Sequence, residues 1–285
     1  MLQIYILKDN FVMWHLFYAV LTAANMFFAY AFARKKKCPV WIAYAFSITL
    51  FIGGGQSAVI WRLGPQENLG LLILLILLLY MTKEQHKRKT VILIIMTIFL
   101  GGIKESFLML LPVLPIMMSI WDVRSQNRNV TLRSLAEAIR KNKIYAIITW
   151  LIFVIDIAII VFVVGTNNNG YAGVDTSAGL KSVIYSAYYI LTGKLKTYLL
   201  LSALGIMILG ICIGMQHKEG TVTKKEVLDK IIIYCFIYGY ILVTQIVLHL
   251  KSGMSERYLL PSVAAFALMW SHSKRQARPG ALTIK

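Results

Sequence analysis

The sequence predicts an all-α fold, a polytopic bundle of about nine transmembrane helices with short amphipathic helices at the membrane surface. Three observations predict it. Of the 285 residues 58% are hydrophobic, and 15% are charged, against roughly 25% in an average soluble domain. Several apolar runs approach the roughly 20 residues that span a bilayer. The Lys and Arg residues sit in clusters between those runs, as in the cytoplasmic loops of membrane proteins.

The runs follow in order. Residues 11–33 are apolar and end at Arg34, Lys35, Lys36 and Lys37. This run is too long for a cleavable signal, and no small-residue cleavage site follows it. Residues 39–60 form the second run, interrupted by Gly53, Gly54 and Gly55. Residues 69–82 are almost pure Leu and Ile, closed by the charged stretch 83–89. Spans at 88–101 and 107–121 flank a short polar turn, and the second contains Pro112 and Pro115. A polar segment, 122–143, precedes the span 144–164, which holds one charge, Asp156. The polar loop 165–197 leads to spans at 198–215, 231–250 and 259–271. The whole of 1–285 reads as one transmembrane domain.

Orientation follows from the basic residues. With the first cluster placed inside and the spans alternating, the inside segments hold 22 of the 30 Lys and Arg residues. The expected protein is a multi-pass cell-membrane protein with its N-terminus outside and its C-terminus in the cytoplasm. Segment 122–143 becomes a cytoplasmic loop and 165–197 an outer loop. The net charge of +18 is then loop charge, and nucleic acid is not an expected partner. Three cysteines with no metal spacing imply no disulfide framework. Residues 91–121 are the tightest part: two crossings share 31 residues, so the Gly101–Ser106 stretch either joins short helices or turns inside the membrane, enclosed by protein.

Two loop segments have helical apolar spacing. Leu180, Val183, Ile184, Ala187 and Leu191 repeat in the outer loop, beside Tyr185, Tyr188 and Tyr189, which suit a headgroup layer. Leu132, Leu135, Ala136 and Ile139 repeat in the inner loop among Arg133, Arg140 and Lys141. Both are read as interfacial helices, with ordinary surface packing as the alternative. The sequon Asn129, Val130, Thr131 falls on the inside, where it is inert.

The candidate site is a set of charges on the outer side. Arg62 and Glu67, Lys104 and Glu105, and Glu256 and Arg257 each sit at a hairpin mouth or beside a span. Charges next to hydrocarbon are costly and mark sites or surfaces. Three such pairs could close a polar cavity at the outer headgroup level. Arg and Lys there suit phosphate oxygens. A carboxylate could orient or deprotonate a sugar hydroxyl, or hold a divalent cation. Each also has a plain structural reading: Arg62 as a headgroup anchor, Glu67 as an acid in a first helical turn, Lys104 and Glu105 as a polar turn, Glu256 and Arg257 as an interfacial ion pair, and Asp156 as a bond between helices.

Three stretches carry a family resemblance: Arg62 to Glu67 (Arg-Leu-Gly-Pro-Gln-Glu), Gly102 to Pro112 with its Lys-Glu turn, and Glu256 to Pro261 (Glu-Arg-Tyr-Leu-Leu-Pro). In order and spacing the chain resembles the GT-C superfamily of membrane glycosyltransferases, which use polyprenyl-phosphate-linked sugars. The likeness covers most of residues 10–270. It implies inverting sugar transfer at the outer membrane face, in assembly of cell-envelope polysaccharide or glycolipid. Glu67 and Glu105 would be the catalytic carboxylates. Arg62, Lys104, Glu256, Arg257 and Tyr258 would bind lipid phosphate and sugar. The expected partners are membrane lipid, a polyprenyl-phosphate sugar and a glycan acceptor. Members of that superfamily carry an acid in a first outer loop after an initial helix. Here the run 11–33 resembles a later helix and is preceded by Asp9 alone, so the resemblance implies a chain lacking that helix and loop, truncated or inactive. Two other readings remain open. One is an exporter or polymerase-type protein for polysaccharide or lipid-linked oligosaccharide, and the other is a non-catalytic membrane assembly subunit.

Overall fold

The computed structural model describes residues 10–35, 40–49, 65–83, 88–126, 128–162 and 223–252, with Tyr188 and Gly214. Helix dominates this part, and no strand occurs among the described residues. Three helical segments are long and apolar enough to cross a membrane: Phe11–Lys35, Ser106–Ser125 and Lys143–Ile160. The expected spans at 198–215 and 259–271 and the outer helix at 180–191 lie outside the described residues, Gly214 and Tyr188 apart.

Helix α1 (Phe11–Lys35) begins with Asn10, whose side chain accepts the Met13 N–H at 3.1 Å, and ends in Arg34 and Lys35. One stripe, including Trp14, Tyr18, Leu21, Asn25, Ala29 and Phe32, is buried. Phe11, Leu16, Val20 and Phe27 are exposed, as suits a helix with one face to lipid. Helix α2 (Val40–Thr49) packs on the C-terminal end of α1, where the Tyr30 and Tyr44 rings lie 4.8 Å apart. It covers the described part of the predicted run 39–60.

Helix α3 (Pro65–Met81) is the centre of the bundle. Pro65 opens it, where a missing N–H is harmless. Leu71, Leu74, Leu75, Leu77, Leu78 and Met81 are all nearly inaccessible, and a helix buried around most of its circumference needs this leucine density. Gly70 has a specific cause: a Cβ there would fall within the Phe107 ring. Lys89, 1% exposed, closes the far end. Its amine donates to the Met81 carbonyl at 2.9 Å and the Lys83 carbonyl at 2.6 Å, meeting carbonyls that a helix end leaves without partners.

Helix α4 (Lys89–Ile103) returns antiparallel beside α3. Leu93, Thr97, Leu100 and Gly101 face inward, and Val91, Ile95, Ile98 and Phe99 face outward. At 15 residues it is about 22 Å long at 1.5 Å per residue, short of the roughly 30 Å hydrocarbon layer. Lys104 is extended and breaks the helix. The chain continues through α5 (Glu105–Leu108), a 3-10 turn (Leu111–Val113) and α6 (Leu114–Ser125). Pro112 and Pro115 explain the interruption, since proline cannot donate to a continuous helix. Leu108, Leu110, Leu111 and Val113 are buried. The irregular backbone is thus enclosed by protein, as backbone at membrane depth must be. Trp150 Nε1 donates to the Pro112 carbonyl at 3.1 Å.

Helix α7 (Leu132–Lys141) is capped by Thr131 and Ser134, which bond each other's backbone N–H groups. The helix forms where its apolar spacing predicts. Its buried face is rotated, however: Ser134, Leu135 and Ala138 are enclosed, while Leu132 and Ala136 are exposed. Helix α8 (Lys143–Phe162) lies along α4, with the buried Tyr145 hydroxyl 3.1 Å from Thr97 Oγ1. Helix α9 (Lys224–Ser252) packs against α5 and α7. Phe32 of α1 and Trp121 of α6, with ring centroids 5.6 Å apart, join the inner halves of the bundle.

Candidate functional site: a buried ion pair between helices

Two of the three charged stretches meet. Glu67, in the first turn of α3, accepts a hydrogen bond from Lys104 Nζ at the end of α4. The Glu67 side chain is fully buried and that of Lys104 is 11% exposed. The short α4 and the extended backbone at Lys104 bring the amine back over the start of α3. A negative charge in a helix's first turn is also favoured by the helix dipole.

Amides and hydroxyls continue the cluster. Asn68, next to Glu67, is inaccessible, as is Asn25 of α1. Asn25 Nδ2 donates to the Asn68 carbonyl at 2.9 Å and also to its side-chain oxygen. Asn68 Nδ2 donates to Thr22 Oγ1 at 3.3 Å. The buried Oδ1 of Asn25 has no hydrogen-bond partner among the described residues. This network sets the depth of the pair. Asn25 lies about 15 Å along α1 from Lys35 at 1.5 Å per residue, so Glu67 sits beside the middle of α1. Thr22, Asn25 and Asn68 were invisible as site residues in the sequence. Their one signal there is two amides within or next to apolar runs.

Glu105 opens α5 directly after Lys104. Arg62, Glu256, Arg257 and Tyr258 lie outside the described residues. Asp156 faces α4: its Oδ2 lies 3.2 Å from where a Cβ on Gly101 would stand, and Gly101 is buried. Among the described residues no group of three or more His, Cys, Asp and Glu side chains could hold a metal ion.

A second polar cluster joins α6, α7 and α9 at the end of the bundle near Asn142. Asn129 Nδ2 donates to Glu226 Oε1 at 2.8 Å, so the sequon asparagine has a structural bond. The Leu132 N–H donates to Asp229 Oδ2 at 3.2 Å, and Arg124 Nη2 donates to the Tyr234 hydroxyl at 2.8 Å. The Glu226 carboxyl is held below its usual range, first by the Thr223 backbone N–H. Glu137 is held low by its hydrogen bond from Arg128. Burial pulls the Lys230 amine down, with Arg124 adding to the effect.

Comparison with protein-family models, curated proteins and solved structures finds no match to this chain.

Proposed function

We propose that this protein is a membrane glycosyltransferase that moves a sugar from a polyprenyl-phosphate donor to a glycan acceptor at the outer membrane face, in assembly of cell-envelope polysaccharide or glycolipid. The observation that supports it is the direct pairing of Glu67 with Lys104, which come from two of the stretches that carry the GT-C resemblance. Lys104 is the group for the departing lipid phosphate, whose charge grows in the transition state. Glu67 takes the proton of the acceptor hydroxyl as that oxygen attacks the anomeric carbon and the bond to phosphate breaks. In the resting state each group neutralises the other. A phosphate that engages Lys104 competes with Glu67 for that amine, which couples donor binding to the base. Arg62, Glu256, Arg257 and Tyr258 complete the phosphate and sugar contacts on this reading, and Glu105 is the second carboxylate on the acceptor side.

One observation favours a second reading. The pair lies beside the middle of α1 through Asn25 and Asn68, and charge at such depth is typical of transport proteins. On that reading the chain carries a lipid-linked oligosaccharide across the membrane without transferring it.

The test is reconstitution in vesicles with labelled polyprenyl-phosphate sugars and a glycan acceptor, scoring transfer and translocation together. Glu67→Gln and Lys104→Ala should each lower transfer by about a hundredfold or more. Transfer indifferent to both changes would refute the assignment. Translocation without transfer selects the carrier.

A further inference from the structure

We propose that the end of the bundle carrying α7 is a binding surface for anionic phospholipid headgroups, with α7 lying at headgroup depth between the starts of α8 and α9. The inference does not depend on sugar transfer and holds for either reading above.

Two exposed apolar stripes give the depth. On α8, a helix apolar enough to cross a membrane, Ile144, Ile147, Leu151, Val154 and Ile155 are exposed at helical spacing. On α9, Leu228, Ile231, Ile232 and Phe236 are exposed in the same way. Both stripes begin at exposed lysines. Lys143 stands directly before Ile144, and Lys224 and Lys225 stand one turn before Leu228. Apolar surface that gives way to exposed lysine marks the level where hydrocarbon gives way to headgroups.

Helix α7 lies at that level and is tied to both helix starts. At its C-terminal end Asn142 Nδ2 donates to the Ala138 carbonyl at 3.2 Å and to Asp122 Oδ2 at 2.6 Å, one residue before α8. At its N-terminal end the Leu132 N–H donates to Asp229 Oδ2 at 3.2 Å, and Asn129 Nδ2 donates to Glu226 Oε1 at 2.8 Å, both within the first turns of α9. Ser134, Leu135 and Ala138 face the bundle. The opposite face shows Arg133, Arg140 and Lys141, with Leu132 46% exposed beside them. That mixture suits an interface: the leucine enters the acyl boundary while the cations reach phosphate oxygens.

Charge selects the lipid. Residues 122–143 and 223–230 hold nine basic and four acidic side chains. All four acids are engaged: Asp122 by Asn142, Glu137 by Arg128 and Arg133, Glu226 by Asn129 and Thr223, and Asp229 by the Leu132 N–H. Arg140, Lys141 and Lys143 form no ion pair among the described residues. Such an excess favours a headgroup with net negative charge over a zwitterionic one, by about fivefold for each basic residue near the surface. The apolar stripes on either side make a diacyl lipid, and not a free phosphate, the fitting occupant.

The experiment mixes the full chain in neutral detergent with phosphatidylglycerol or phosphatidylcholine of the same acyl chains and counts bound lipid by native mass spectrometry. Phosphatidylglycerol should bind about tenfold or more tighter. Arg140→Gln with Lys141→Gln, and separately Lys224→Gln with Lys225→Gln, should each remove most of that preference and leave phosphatidylcholine binding unchanged. These side chains are exposed, so the variants should unfold at the wild-type temperature, which is measured alongside. Inorganic phosphate at the concentration of the lipid should not displace it. Equal binding of the two lipids by the wild-type chain would overturn the proposal. So would an undiminished preference in both folded double variants, or displacement of phosphatidylglycerol by inorganic phosphate, which would mark a free-anion site.

Discussion

Removing one partner of the Glu67–Lys104 pair leaves a full charge enclosed by helices. Such a loss costs about 3–5 kcal/mol, whereas replacing both partners with uncharged groups of similar size can be nearly neutral. Glu67→Gln and Lys104→Met should therefore each be strongly destabilising alone, and the double variant should recover most of the loss. Denaturant unfolding in detergent micelles measures the cycle, and a double variant as unstable as the sum of the singles would rule out the pairing. Both charges were legible in the sequence because they interrupt apolar runs. Their partnership was not, since each had been matched with its neighbour in the chain: Glu67 with Arg62, Lys104 with Glu105. Contact across 37 positions depends on how far α4 runs before it breaks. Thr22, Asn25 and Asn68 were missed for a related reason. An uncharged amide lowers hydropathy little, and its significance comes from the register of α1 against α3.

At the scale of elements, helices among the described residues run beyond the apolar stretches that hydropathy marks. The span 231–250 lies inside a helix of 29 residues, Lys224–Ser252. Hydropathy marks where a chain meets hydrocarbon, while hydrogen bonding decides where a helix starts. Here the start is set by Thr223 and Glu226: the Thr223 N–H donates to Glu226 Oε2 at 2.8 Å, and the Glu226 N–H donates to Thr223 Oγ1 at 3.3 Å. The same holds for α3, where Pro65 opens the helix four residues before the apolar run. In α7 the Thr131 and Ser134 cap and the Asp229 contact fix which face turns inward, overriding a stripe that counted Leu132 and Ala136. The α9 cap has a pH signature. The Glu226 carboxyl titrates lower folded than unfolded, so its contribution is present above the ordinary carboxylate range and fades as pH falls through the lower folded value. Hydrogen exchange at the first turn of α9 should therefore accelerate in acid below that range. Glu226→Gln should remove the acid dependence, and an unchanged acid dependence would dismiss the cap.

Across the whole molecule, the alternation read from basic clusters is an expectation that labelling from either membrane side tests. The ends of α3 and α4 near Lys89, the α6 to α8 connection and the start of α9 all gather at one end of the described helices, joined by Asn142 to Asp122 and by Asn129 to Glu226. The start of α1 lies at the other end. Lys141→Cys and Lys225→Cys, each in a background without the native cysteines, should react with an impermeant thiol reagent from the same membrane side. Asn10→Cys should react from the opposite side. Reaction of Lys141→Cys and Lys225→Cys from different sides would break the arrangement. The sequence makes this alternation an expectation because charge placement is a property of each loop alone. It left the enclosure of Lys104 and the proline segment unread, because what surrounds a short irregular stretch depends on helices brought together from elsewhere in the chain.

The bond from the Leu132 N–H to Asp229 spans 97 positions, and this bears on how the protein is made. At roughly 5–20 residues per second, a ribosome completes α7 several seconds or more before Asp229 exists. In that interval α7 has only its Thr131 and Ser134 cap, and the clamp on its first turn cannot form until α9 has left the tunnel. Arrest of translation between these points would leave α7 without that clamp, so the emergence of α9 times the closing of this end of the bundle.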